Sequence, residues 1–234
     1  MARIVFALGL AAIGCQDLLR ADLVMELQPV PAWVPGRPFL AVVFGLLLAG
    51  AGACIIAGRW VRPAATSLAV LLSLWVLLLL LPRMIADPAS GGAWTGAFEV
   101  LALASAAWVL AGVPAARRAG CLCFAASLLV FGVLHFIYRD YVAFVIPAWI
   151  PAHLFWAYLT GVAHIAAGLA IAARVKARLA AALAAVMFGS WVLILHAPRV
   201  AAELHNRNEW TSLFVAMAMC GAAWLIAERV RAPL

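Results

Sequence analysis

The sequence predicts an all-α membrane protein of eight transmembrane helices, arranged as two parallel-repeat four-helix bundles with short interfacial elements on the outer side. Three observations predict it. The 234 residues are 68% hydrophobic and 11% charged, with mean hydropathy +1.12, where soluble domains are about half apolar and a quarter charged. The apolar runs are continuous and long, unlike the short alternating segments of a barrel. The two halves of the chain also repeat one another in register.

The apolar runs, each near the roughly 20 residues that a helical span needs, are Ile4–Leu19, Phe39–Ala57, Ala64–Leu81, Gly96–Gly112, Cys121–Tyr138, Phe155–Ala173, Leu179–Ala197 and Thr211–Glu228. The first could pass for a secretory signal ending at Cys15. It carries one basic residue and no cleavage context, and it matches the start of the second half, so it is read as a span. Cys15, Cys54, Cys121, Cys123 and Cys220 all fall within apolar runs and form no C-x-x-C. They are read as inert fillers.

The repeat follows from a shift of 116 positions, which needs no gap from Pro31 to Gly112. Pro31-Ala32-Trp33 falls on Pro147-Ala148-Trp149, Gly45 on Gly161, Gly52 on Gly168, Trp75 on Trp191, Pro82-Arg83 on Pro198-Arg199 and Trp94 on Trp210. Composition alone does not place Pro, Trp and Arg in register. Upstream of Pro31 the offset becomes 118, which puts Gly14 on Gly132 and Asp17 on His135. The units are residues 1–116 and 117–234. Four spans per unit return the chain to its starting side, so both units share one orientation.

Charge sets the topology. Arg3, Arg59, Arg62, Arg117, Arg118, Arg174, Lys176, Arg178, Arg229 and Arg231 fall on one side, in tight connections. Arg20, Arg37, Arg83, Arg139, Arg199 and Arg207 fall on the other, spread among acids in longer loops. The positive-inside rule then puts both termini in the cytoplasm. The formal charge of +7 is thus read as an orientation signal facing the lipid bilayer, not as a nucleic-acid surface. On the outer side, PVPAWVPGRP and IPAWIPAH carry interfacial aromatics and helix-breaking prolines. They read as interfacial or re-entrant caps.

Few ionisable residues interrupt the apolar runs: Asp17, Glu99, His135, His164 and His196. A charge at the bilayer centre costs about 2.5–3.5 kcal/mol on insertion scales, so each asks for a reason. His164 lies deepest, nine residues past Phe155, or roughly 13 Å at the helical rise. The others sit near the outer ends of their helices. Two readings stay open: a polar pocket opening outward with His164 at its floor, rimmed by Arg139, Asp140 and Glu209, or snorkelling groups that only reach the headgroup layer. His164 can also be a hydrogen-bonded packing residue. The first unit has Asp17, Leu48 and Leu80 where the second has His135, His164 and His196. A working half would therefore be the second, with Asp17 and Glu99 as contributions from the first. No zinc spacing, phosphate loop or H-E-x-x-H is present, so no metal site is expected. A bis-histidine haem is not favoured, because nothing in the spacing fixes the facing of the three imidazoles.

The second half carries Gly132, His135-Phe136-Ile137-Tyr138, Asp140, Pro147-Ala148-Trp149-Ile150-Pro151, Phe155-Trp156-Ala157-Tyr158, Thr160-Gly161, Leu195-His196, Pro198-Arg199 and Asn208-Glu209-Trp210-Thr211-Ser212. This pattern resembles the DoxX-like family of four-helix bacterial membrane proteins. It covers residues 121–230 well and 1–112 in degenerate form, which would make the chain a tandem of the family unit. The resemblance implies a bacterial inner-membrane location. It also implies a quinone-binding or accessory role beside a membrane redox partner, in which His135 and His196 would donate hydrogen bonds or relay protons. The alternative is a membrane scaffold or small-solute permease.

Overall fold

A computed structural model describes residues 1–230. Arg231, counted above on the basic side, lies outside the described residues, as does the rest of the carboxyl end. The described elements are helical, with no strand among them. Eight helices are long and apolar enough to cross a membrane: α1 (Ala2–Arg20), α2 (Arg37–Ile56), α3 (Val61–Ala86), α4 (Gly91–Ala111), α5 (Pro114–Ile137), α7 (His153–Ala172), α8 (Ala177–Ala202) and α9 (Arg207–Arg229). A short helix, α6 (Arg139–Val145), follows α5. The sequence predicts no helix over these residues; its interfacial element is the IPAWIPAH stretch that follows. If all eight helices cross, residue 1 and the end of α9 lie on the same side.

Helices α3 and α8 outrun the predicted spans for one physical reason. Pro82 and Pro198 look like terminators, because proline lacks an N–H and its ring clashes with the carbonyl four residues back. Each is preceded by a π-helical segment, Val76–Leu80 or Val192–His196. There the Leu81 N–H bonds to Val76 O and the Ala197 N–H to Val192 O, one residue wider than α-helical spacing. The wider turn takes up the proline and lets the helix continue to Ala86 or Ala202.

The two π segments lie 116 positions apart, and other local features recur at that spacing. Left-handed residues fall at Gly36 and Ala152, Gly58 and Arg174, Trp60 and Lys176. Ser90 caps α4 and Asn206 caps α9. The indole of Trp94 donates to Pro88 O at 3.0 Å and that of Trp210 to Leu204 O at 2.9 Å.

Packing runs as a closed circuit. Each spanning helix touches its neighbours in chain order, α9 returns to α1, and α4 and α9 also touch across the middle. Two lobes result, sharing the α4–α9 wall. One is enclosed by α1–α4 with α9, the other by α5, α7, α8 and α9 with α4. The contacts do not separate into two independent groups of four, because α1 packs on α9 and α4 on α5. One apolar core runs from Ala2 to Ala227. Small residues bring the tightest pairs together, as expected where lipid supplies no hydrophobic drive between helices. A Cβ on Gly14 would lie 2.7 Å from Gly45 O, and one on Gly132 would lie 2.7 Å from Gly161 O.

The lobes differ inside. In the first, Leu48, Leu72, Trp75 and Leu80 are buried and belong to the core. The connection after α1 folds inward, burying Leu23, Val24, Leu27, Gln28 and Val30. Leu23 and Val30 pack with Ala41 and Phe44 of α2 and Leu79 of α3. Among the described residues, the second lobe has no such plug. Its equivalent connection forms α6, which leans on α5 and α7.

Candidate functional site

A cavity of about 1490 Å³ occupies the second lobe, larger than the roughly 300–1,000 Å³ usual for drug-sized ligands. Its mouth lies among Gly91, Tyr138, Tyr141, Trp149, Arg199 and Asn206, at the end of the lobe away from residue 1. Its floor is made by Phe131, His164, Phe188 and Met219. Tyr138 ties the mouth to the first half, since its hydroxyl donates to Ala89 O at 2.6 Å. Gly91 leaves room for that ring, as a Cβ there would lie 2.8 Å from Tyr138 Cζ.

Three imidazoles meet here, each placed by its helix. His135 (α5) and His164 (α7) have ring centres 4.9 Å apart. Trp191 (α8) lies 6.1 Å from the first and 5.5 Å from the second. Phe131 and Phe188 pack on His164 at 5.9 and 5.7 Å. His196 lines the same cavity from the π segment of α8. His135 Nδ1 lies 2.7 Å from Phe131 O, and His164 Nδ1 lies 2.9 Å from Thr160 O. A carbonyl only accepts, so both rings carry their proton on Nδ1, and a neutral ring then presents Nε2 as an acceptor. His164 is 1% exposed, and among the described residues its Nε2 has no partner; neither do the buried His196 Nδ1 and Glu209 Oε2. Buried polar atoms are ordinarily satisfied by protein or water, so three orphans around one cavity give it free hydrogen-bonding capacity. His135 and His164 are too close for a macrocycle to lie between them, so this pair does not fit a bis-histidine haem.

Glu209 Oε1 accepts from Arg199 Nη2 at 2.7 Å, and both residues line the cavity. Glu99 enters from α4, half-buried. Among the described residues it makes no hydrogen bond. The structure thus brings together His135, His164, His196, Glu99 and Glu209.

Three predicted members are not there, which corrects the expected site. Arg139 and Asp140 pair with one another at 3.9 Å, with side chains 47% and 82% exposed. The helix breaks at Tyr138, and on α6 it is Tyr141, Val142 and Val145 that line the cavity, not Arg139 and Asp140. Asp17 is fully buried but in the first lobe. It accepts from Gln28 Nε2 at 2.8 Å and from Arg207 Nη2 at 3.1 Å, so it is a packing clamp. Trp191, Arg199 and Tyr138 belong to the site, although the sequence marks them only through the repeat or the family pattern and not as pocket residues. Arg199 could have been found from its place one turn after His196. No group of three or more His, Cys, Asp or Glu able to hold a metal occurs among the described residues.

Fold and site together define a helical protein of multi-pass membrane character, with a deep cleft walled mainly by its second half. A family model described as a domain of unknown function (DUF8561) matches residues 124–227, the stretch that supplies most of the cleft, with α4, Glu26, Leu27 and Arg83 contributing from the first half. No curated protein and no solved structure matches the chain.

Proposed function

We propose that the chain is a DoxX-like protein of the bacterial inner membrane, a tandem of two four-helix units with both termini cytoplasmic. In this reading the second unit binds a quinone or a similar amphipathic molecule and serves a membrane redox partner as an accessory subunit. The observation that carries it is the cavity with three unpartnered polar atoms, on His164, His196 and Glu209, set among apolar and aromatic side chains. Such a lining suits a ring with polar substituents on an apolar body. The recurrence of π segments, caps and left-handed residues at 116-residue spacing supports the duplication. The resemblance of the second half to the DoxX-like pattern supports the redox setting.

Titrating purified protein in nanodiscs with decyl benzoquinone tests the reading. The wild type should bind saturably, and the His135→Ala, His196→Ala double variant should bind about tenfold more weakly, as expected for the loss of one or two buried hydrogen bonds. Equal affinity would contradict it. The rival reading, a scaffold or permease, draws on Asp17, whose bonds are wholly internal. It predicts that the double variant lowers thermal stability and leaves binding absent in both proteins.

A further inference from the structure

The wall of the cavity is incomplete on one side. Helix α7 packs on the Ala177–Trp191 stretch of α8 and parts from it beyond the π turn. In the first lobe the corresponding gap, between α2 and the π segment of α3, is closed by Leu23, Val30 and Val34 against Phe44 and Leu79. In the second lobe α6 leans the other way, on α5 and α7. The edges of the opening are Leu159 of α7 and Ile194 of α8. Both line the cavity and are still 42% and 40% exposed. This slot lies along the helix sides, at the level of the apolar spans and not at the loop end.

The polar atoms behind the slot are mostly acceptors. His135 and His164 commit their Nδ1 protons to Phe131 O and Thr160 O. The hydroxyls of Thr160 and Ser190 donate to Trp156 O at 2.8 Å and Met187 O at 2.7 Å. Glu209 Oε2 and His164 Nε2 are open acceptors. Among the described residues at this depth, Trp191 Nε1 and the one ring N–H of His196 are donors that make no internal bond. A buried acceptor without a donor costs about 1–3 kcal/mol, so the favoured occupant brings O–H or N–H groups.

We propose that the occupant is a bilayer-resident lipid whose head group donates hydrogen bonds to His164 and Glu209, with its tail leaving sideways between α7 and the outer half of α8. For a quinone pair this is the reduced, dihydroxy form. The inference rests on the proposed function, which supplies the amphipathic ligand but neither its donor character nor its path.

The test uses full-length protein in lipid nanodiscs under nitrogen, with decyl benzoquinol, decyl benzoquinone and a decyl quinol bearing a diazirine in mid-tail. The quinol should bind about tenfold more tightly than the quinone, as expected for about one more buried hydrogen bond made by the dihydroxy form. Photolysis should label α7 near Leu159 and α8 near Leu193 and Ile194. Quinone binding as tight as quinol binding would overturn the donor head. Labelling confined to Tyr141, Trp149 and Asn206 would overturn the lateral slot. Either result leaves the proposed function standing, whereas failure of both forms to bind would overturn that reading together with this one.

Discussion

Asp17 on α1 and Arg207 on α9 stand 190 residues apart in sequence and 3.1 Å apart in space. The carboxylate is fully buried, and the guanidinium beside it also reaches Asp22 Oδ2, Asp22 O and Leu23 O. One arginine from the start of the last helix thus pins the first helix and the inward-folded connection that fills the first lobe. Asp17→Ala leaves that guanidinium with only the exposed Asp22 carboxylate and two carbonyls and takes the acceptor from Gln28 Nε2, and losing a hydrogen bond to a charged group costs about 1.5–3 kcal/mol. Unfolding in mixed micelles should show this loss. The Asp17→Ala, Arg207→Ala double variant should be less destabilised than the two single losses combined. A single-variant loss under about 1 kcal/mol, the range of an exposed pair, would show that the contact is incidental.

Gly132 is the tightest point between α5 and α7, where an added Cβ would meet Ile165 as well as Gly161 O. Gly132→Ala should therefore destabilise by about 1–3 kcal/mol, the usual range for overpacking. Gly50→Ala is the matched control, with nothing within 4 Å of the new carbon. It should be neutral or slightly stabilising, since Ala is the better helix former by about 1 kcal/mol. Thermal unfolding of the two variants side by side checks this; equal losses would remove the close-approach argument.

Pro198 sits just after the π segment that carries His196. Pro198→Ala restores an N–H and removes the ring clash, so the segment can relax to α-helical spacing and rotate His196 off the cavity. Quinol affinity should fall about tenfold, on the scale of one buried hydrogen bond. Pro82→Ala makes the same change in the first lobe, beside Leu80, and should leave affinity unchanged. A hydrogen-exchange comparison of residues 192–196 reports the relaxation itself. Equal affinities for wild type and Pro198→Ala would separate the π turn from the site.

In a cysteine-free background, Asp87→Cys and Glu203→Cys should react with an impermeant maleimide added outside intact cells, and Arg118→Cys should react only after lysis. The reverse labelling pattern would overturn the orientation drawn from charge.

Much of this architecture is written in hydropathy, because a span must be apolar over its whole length wherever it sits. The positions of α1 to α9 follow from that, apart from α6, which is too short to leave such a trace. The ends of α3 and α8 were misplaced because Pro82 and Pro198 carry the same letter whether they stop a helix or follow a π turn. The contrast of His164 and His196 with Leu48 and Leu80 is plain from the repeat, yet it does not say which lobe is hollow. That depends on whether the connection before α2 or before α7 folds inward, and Leu23, Leu27 and Gln28 reveal it only through their burial. Arg139 and Asp140 looked like rim residues because they follow His135 within a turn of sequence. The break at Tyr138 starts a new helix that turns Tyr141, Val142 and Val145 to the cavity in their place. The partner of Asp17 could not be read at all, since no local pattern links it to Arg207.

The account rests on the second lobe being open where the first is filled, and on the imidazoles as the reason that ligand binds there. Placing the first half's residues into the second, as His164→Leu with His196→Leu, tests this most directly. Leucine is close to histidine in volume, so the fold should survive and thermal stability should hold or rise as unpartnered buried atoms are removed. Isothermal titration with decyl benzoquinol should then show affinity lowered by more than about tenfold relative to wild type. A folded double variant that binds the quinol as tightly as the wild type would contradict the account.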